Sequence, residues 1–181
     1  MNKVVRFKKE FPEKAFYDFI DYAFSKADYF MMVYGSSPNY GYTYHGKRFK
    51  KGLEKFKVKS RTGTDCPGLY EFNHEAKYKI VFYKTSLEAR EIFKEISKEV
   101  VGTYNSSGYH RHGLGLFLAN LSFFKKDDCW FYSSMEEEAV IIEADKSDIK
   151  FALENGLAAP EDIIVDNEKK FYCYHKEPGL T

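Results

Sequence analysis

The side chains best suited to chemistry are the pair His110 and His112, the acidic triplet Glu136, Glu137 and Glu138, and Cys129 beside the single tryptophan, Trp130. A His-x-His spacing in an extended strand points both imidazoles to one side, as a zinc site can use, with His45, His74, Cys129 or His175 as distant third ligands. Nothing in the spacing requires that third ligand, and beside Arg111 the pair reads as solvated loop histidines. Adjacent carboxylates can serve acid–base work when their surroundings push two pKa values apart. Without an accompanying His or Arg signature, the three glutamates read as a solvated turn. Cys129 would be a nucleophile only with His112 close by; a strand cysteine is ordinarily inert packing. No Gly-x-Ser-x-Gly, P-loop or dinucleotide fingerprint occurs, and Gly113-Leu114-Gly115 is too short to cradle a phosphate. The sequence therefore assigns no catalytic residue, no metal ligand and no cofactor.

Binding chemistry is better represented. Lys47, Arg48, Lys50, Lys51, Lys55, Lys57, Lys59 and Arg61 form a basic segment preceded by Tyr40, Tyr42 and Tyr44. Clustered cations suit phosphates, and exposed rings stack on unpaired bases, yet the same set serves an acidic protein surface. The net charge of +1 conceals an asymmetry: residues 1–61 hold 14 Lys and Arg against 6 Asp and Glu, and residues 62–181 hold 14 against 21. The two parts either form separate patches or neutralise one another in the fold. With 15 Tyr and 17 Phe, the rings exceed what a core of this size needs, which points to an aromatic contact surface.

These residues need a scaffold, and the patterning supplies one. The stretch from Leu114 to Ala144 reads as an antiparallel meander: two apolar strands around the charged turn Lys125–Asp128, then a third at Ala139–Ile142. Val4, Val5 and Phe7 suit a short edge strand. Pro12 opens a helix whose apolar face is Phe16, Phe19, Ile20, Ala23 and Phe24. Tyr29–Tyr34 is a nearly unbroken apolar run and reads as a central strand. Residues 36–46 have turn composition, and Lys47–Arg61 reads as a short helix, weakened by Gly52, running into a strand. Residues 62–68 form another loop, followed by two strands, at Leu69–Phe72 and Tyr78–Tyr83. Thr85 and Glu88 have capping-box spacing ahead of a helix with Ala89, Ile92, Phe93, Ile96 and Val100 on one face. Gly102–Gly113 is a polar loop. Asp145 caps a third helix carrying Ile149, Ala152 and Leu153, which Gly156 ends. Ile163–Val165 and Phe171–Tyr174 suggest a last hairpin.

The order Leu121–Phe124, charged turn, Trp130-Phe131, Ser133, Glu136–Glu138, Ala139, apolar strand and helix closing at Asn155-Gly156 resembles a group of small uncharacterised bacterial proteins, loosely labelled sporulation stage III AH-like. Pro67-Gly68 resembles a Trp-Pro-Gly element of that group, with Cys66 in place of the tryptophan. Where many of those proteins carry His-Glu after the tryptophan strand, this chain has Met135-Glu136. The resemblance covers about two thirds of the chain and implies an α+β fold, the bacterial cytoplasm and binding to another protein.

The expected molecule is one globular α+β domain over residues 1–181, a mainly antiparallel sheet of six to eight strands with three packed helices. Cys66, Cys129 and Cys173 are odd in number and in no CxxC spacing, which suits cytoplasmic thiols. No apolar run approaches a membrane span. The expected function is non-catalytic recognition of another protein, immunity-like by analogy. Tyr40, Tyr42, Tyr44, Arg48, Lys51, Tyr109, His110, Arg111 and His112 are the contact residues. The alternatives are nucleic-acid binding through residues 47–61 and a hydrolase using Glu136 with His110 or His112.

Overall fold

The computed structural model describes residues 2–9, 11–34, 43–63, 78–106, 121–133, 139–171 and 177, with backbone only for 43–45 and 99–106. It has an α+β fold. Eight strands build one antiparallel sheet: β1 Lys3–Arg6, β2 Tyr29–Tyr34, β3 Lys57–Gly63, β4 Tyr78–Lys84, β5 Ser122–Lys125, β6 Asp128–Ser133, β7 Ala139–Ile141 and β8 Ile163–Val165. Their order across the sheet is β3-β4-β2-β5-β6-β7-β1-β8. The described helices are α1 Glu13–Lys26, α2 Thr43–Leu53, α3 Leu87–Ser106 and α4 Lys146–Glu154, one more than the sequence suggested.

All four helices lie on one face. Phe16, Phe19, Ile20 and Phe24 of α1, Phe49 and Leu53 of α2, Phe93 and Ile96 of α3 and Ala152 of α4 share a core with Phe30, Tyr83, Phe123, Trp130 and Phe131 of the sheet. The opposite face is buried as well, with Met31, Val33, Ile80, Phe82, Phe124, Cys129, Tyr132 and Val140 in a second cluster. A strand buried on both sides has no polar face to present, which is why Tyr29–Tyr34 and Cys129–Tyr132 are unbroken apolar runs. Tyr29–Tyr34 is indeed central, between β4 and β5.

Several local expectations are corrected. The strand of Val4 and Val5 is internal, flanked by β7 and β8, because Ile163–Val165 pairs with it. Ser86, not Thr85, caps α3: its Oγ accepts the Ala89 N–H at 3.0 Å, while the Thr85 hydroxyl donates to the Ala27 carbonyl at 2.6 Å. That helix continues through residues 102–106, where turn composition had suggested a loop. Gly52 sits inside α2 because a Cβ there would lie 3.0 Å from Ile92 Cγ2 and 3.3 Å from Ile96 Cδ1, so its absence lets α2 and α3 approach. The capping of α4 matches expectation and goes further: Asp145 accepts the Ser147 and Asp148 N–H groups, and Asp148 accepts the Asp145 N–H at 3.0 Å. Gly156, at φ +69°, follows the helix in the left-handed region. The expected strand at Leu69–Phe72 and the second half of the last hairpin lie outside the described residues.

Candidate functional site

The two ends of the sheet are built differently. At one end the connections are tight: Ala27-Asp28 joins α1 to β2, Thr85-Ser86 joins β4 to α3, and Lys126-Asp127 joins β5 to β6. Asp28 knits these together, its N–H donating to the Phe124 carbonyl, its carbonyl accepting the Thr85 N–H and its carboxylate accepting the Lys126 N–H. At the other end, Gly63 faces Tyr78, Tyr34 faces Lys79, Ser122 faces Tyr132 and Ser133 faces Ala139. The sequence stretches 35–42, 64–77, 107–120 and 134–138 therefore all join the sheet at that one end. Two of them carry Tyr40, Tyr42, Tyr109, His110, Arg111 and His112, and a third carries Glu136–Glu138; those residues themselves lie outside the described set.

Helix α2 begins at this end, where Gly46 packs on the Tyr34 ring. Phe49 and Leu53 anchor it in the core, and that registry turns Lys47, Lys50 and Lys51 to solvent with Arg48 half-buried. Tyr44 stands in its first turn. Lys50 holds its ammonium 4.6 Å from the Tyr34 ring centre. The helix contains no acid, so Lys47 stands beside Lys50 and Lys51 at i,i+3 and i,i+4, an arrangement that costs roughly 0.2–0.5 kcal/mol per pair. The helix dipole favours Lys50 and Lys51 in the last turn, but Lys47 is too far from the C-terminus for that compensation.

The rest of the basic segment is partly neutralised within the molecule. Lys55 pairs with Glu88, Lys57 with Glu54, and Lys59 and Arg61 with Glu177, which is only 5% exposed. Glu88 and Glu177 come from the acidic part of the chain, so the charge asymmetry of the sequence partly cancels across β3. A phosphate-binding track over all of 47–61 loses half its cations to these pairs.

A second polar cluster sits beneath α1 and α4, and neither its carboxylate nor its lysines were expected to matter. Asp148 is fully buried and accepts from Tyr22 Oη at 2.7 Å and Trp130 Nε1 at 3.2 Å. Lys26 Nζ lies 3.5 Å from it and Lys125 Nζ 3.9 Å, the latter ammonium also 4.6 Å from the Trp130 ring centre. Burial lowers the Lys125 amine, with Lys26 adding repulsion and Asp148 and Asp145 opposing. Burial alone would also lower Lys26, yet its bonds to Asp145 and Tyr22 and the charge of Asp148 raise it well above the usual range. Each charge in the cluster faces an opposite one, and the arrangement locks two helices to the sheet. The signal in the sequence is the Asp145-x-x-Asp148 spacing, a capping box with aspartate at both positions.

Among the described residues no group of three His, Cys, Asp or Glu side chains is placed to hold a metal ion. Cys129 is buried on the second face, its thiol 3.4 Å from the Phe131 carbonyl, as packing predicts. A groove of about 560 Å³ at the β8 edge is lined by Arg6, Val165, Asp166, Lys170 and Phe171 among others, and the Lys170 N–H donates to both Asp166 oxygens. Every described aromatic side chain is at least half-buried. No helix among the described residues is long and apolar enough to cross a membrane. Comparison with family models, curated proteins and solved structures finds no match to this chain.

Proposed function

We propose that this chain is a non-catalytic recognition protein that binds an acidic partner protein with the cationic face of α2 and the adjoining loop-bearing end of the sheet. The observation that carries the reading is the exposed row Lys47, Lys50 and Lys51, a like-charged face on a rigidly anchored helix with no acid of its own. Connections at one end of a rigid sheet are where binding residues concentrate, and Tyr40, Tyr42 and Tyr109–His112 belong to such connections. Recognition in the bacterial cytoplasm, as the sporulation stage III AH-like resemblance implies, is part of the same proposal.

The test uses the purified chain and its Lys47→Glu/Lys51→Glu variant as baits in lysate of the native host. A specific acidic protein retained by the first and released by the second supports the proposal. The same proteins on both baits, or none on either, refutes it. Salt-sensitive retention of single-stranded DNA or RNA, lost in the variant, would instead favour nucleic acid.

A further inference from the structure

Helices α2 and α3 lie side by side and run antiparallel, because α2 begins at the loop-bearing end of the sheet and α3 at the short-turn end. Gly52 packs on Ile92 and Ile96, the Phe49 and Phe93 rings are 5.3 Å apart, and Lys55 pairs with Glu88. That register sets Lys51 level with Glu95. Outward, the two helices carry opposite charge: Lys47 and Lys51 form one exposed row at i,i+4, and Glu91 and Glu95 form another. Each row places like charges one turn apart and so weakens its own helix. Arg90 relieves Glu91, whereas Lys47, Lys51 and Glu95 make no ion pair among the described residues, with each other or elsewhere. Both rows therefore hold exposed charge that the fold itself leaves unanswered.

Two adjacent rows of opposite sign are complementary to themselves. Turned over about a two-fold axis parallel to the helices, the cationic row of one copy lies on the acidic row of another, and symmetry makes the contact twice. A net charge of +1 sets little general repulsion against this approach. We infer that two copies of this chain dock face to face through α2 and α3, with Lys51 of each opposite Glu95 of the other. The inference rests on reading α2 as the recognition face and names a second copy of the chain as a protein which that face takes.

The test is sedimentation equilibrium of the full chain at low and high salt. The unaltered chain should show a monomer–dimer equilibrium that salt weakens. Lys51→Glu and Glu95→Lys each put two like-charge contacts into the interface and should weaken self-association at least about tenfold. The double variant Lys51→Glu/Glu95→Lys restores opposite charge at both contacts and should recover the dimer. An equimolar mixture of the two single variants should associate as a heterodimer, since every contact then joins opposite charges. Lys150→Glu, on exposed α4, makes the same change in net charge as Lys51→Glu and should dimerise like the unaltered chain. A monomer at every concentration, a dimer indifferent to both reversals, or single variants that stay apart when mixed overturns the inference. Glu95→Lys separates this outcome from the α2 reading: as bait it should lose the second copy and still retain a different acidic protein, which the lysate experiment scores independently.

Discussion

Replacing Asp148 by alanine should be among the most damaging single changes in the described part of the molecule. The carboxylate is fully buried and accepts from Tyr22 Oη, Trp130 Nε1 and the Asp145 N–H at 2.7, 3.2 and 3.0 Å. After truncation Tyr22 retains Ser147 Oγ at 3.2 Å, and Lys26 retains Asp145 at 3.1 Å. The buried indole N–H has no such fallback among the described residues, and a buried donor left unpaired costs about 1–3 kcal/mol. Removing one partner of a buried charge network typically costs about 3–5 kcal/mol, and Asp148→Ala should fall in that range. Asp148→Asn preserves the shape and one acceptor oxygen, and we expect about 2 kcal/mol. Against a typical domain stability of about 5–15 kcal/mol, the alanine variant should still fold but unfold at markedly lower urea. Trp130 is the only tryptophan and lies in this network, so its fluorescence reports the loss directly, with far-UV circular dichroism testing for a single transition. A cooperative transition shifted by less than about 1 kcal/mol in Asp148→Ala would refute the reasoning.

Three further outcomes follow from the same geometry. Burial, with the Tyr83 hydroxyl 2.9 Å away, holds the Tyr34 phenol well above its usual pKa, and burial pushes Tyr83 up to about 12. Their contribution is therefore complete below the unfolded value of about 10 and is lost as pH rises toward 12; urea stability over pH 9–12 should fall more steeply in the unaltered chain than in Tyr34→Phe/Tyr83→Phe, and equal slopes would reject it. Gly52→Ala gains up to about 1 kcal/mol of helix propensity but forces a Cβ to 3.0 Å from Ile92 Cγ2 and 3.3 Å from Ile96 Cδ1. Overpacking at about 1–3 kcal/mol should win, Ile96→Val should recover part of the loss, and a more stable Gly52→Ala would contradict the close approach. Burial alone would raise the Asp145 carboxyl, but Ser147, the Asp148 N–H and Lys26 together hold it well below the usual range. Its stabilisation is present above about pH 4 and lost as pH falls further, so the gap between the unaltered chain and Asp145→Ala, about 1 kcal/mol near neutrality, should close in acid; a constant gap would show that the cap carries no charge effect.

Much of the scaffold was legible because it follows from periodicity. The apolar spacing of Phe16, Phe19, Ile20, Ala23 and Phe24 located α1, and the apolar runs on either side of the charged turn Lys125–Asp128 located the β5–β6 hairpin. What local patterning could not show was pairing between distant segments. Val4 and Val5 resemble an edge strand until Ile163–Val165 is known to lie beside them. Gly52 weakens a helix by propensity, and only the neighbouring Ile92 explains why a glycine is there. Asp148 and Glu177 are ordinary acids in the sequence; their weight comes from Trp130 and Arg61, 18 and 116 residues away. The basic segment was visible as composition, but the partial cancellation of its charge by Glu54, Glu88 and Glu177 was not.

That cancellation separates two uses of positive charge within one continuous stretch. On β3, a sheet edge, lysines also obstruct unwanted strand addition, and pairing Lys57, Lys59 and Arg61 with acids of the same chain retains their bulk while removing much of their field. On α2, Lys47 and Lys51 have no acid within their own helix, and their repulsion opposes helix formation, so local stability is not what they supply. A long-range field needs unneutralised charge, and orientation needs a rigid support. The α2 lysines meet both conditions beside the end of the sheet where the long connections enter, while the opposite end is tied by Asp28 into short turns. Among the described residues, then, the short-turn end of the sheet is held by the Asp28 hydrogen bonds, while the exposed cations with no acid in their own helix, Lys47, Lys50 and Lys51, lie on α2.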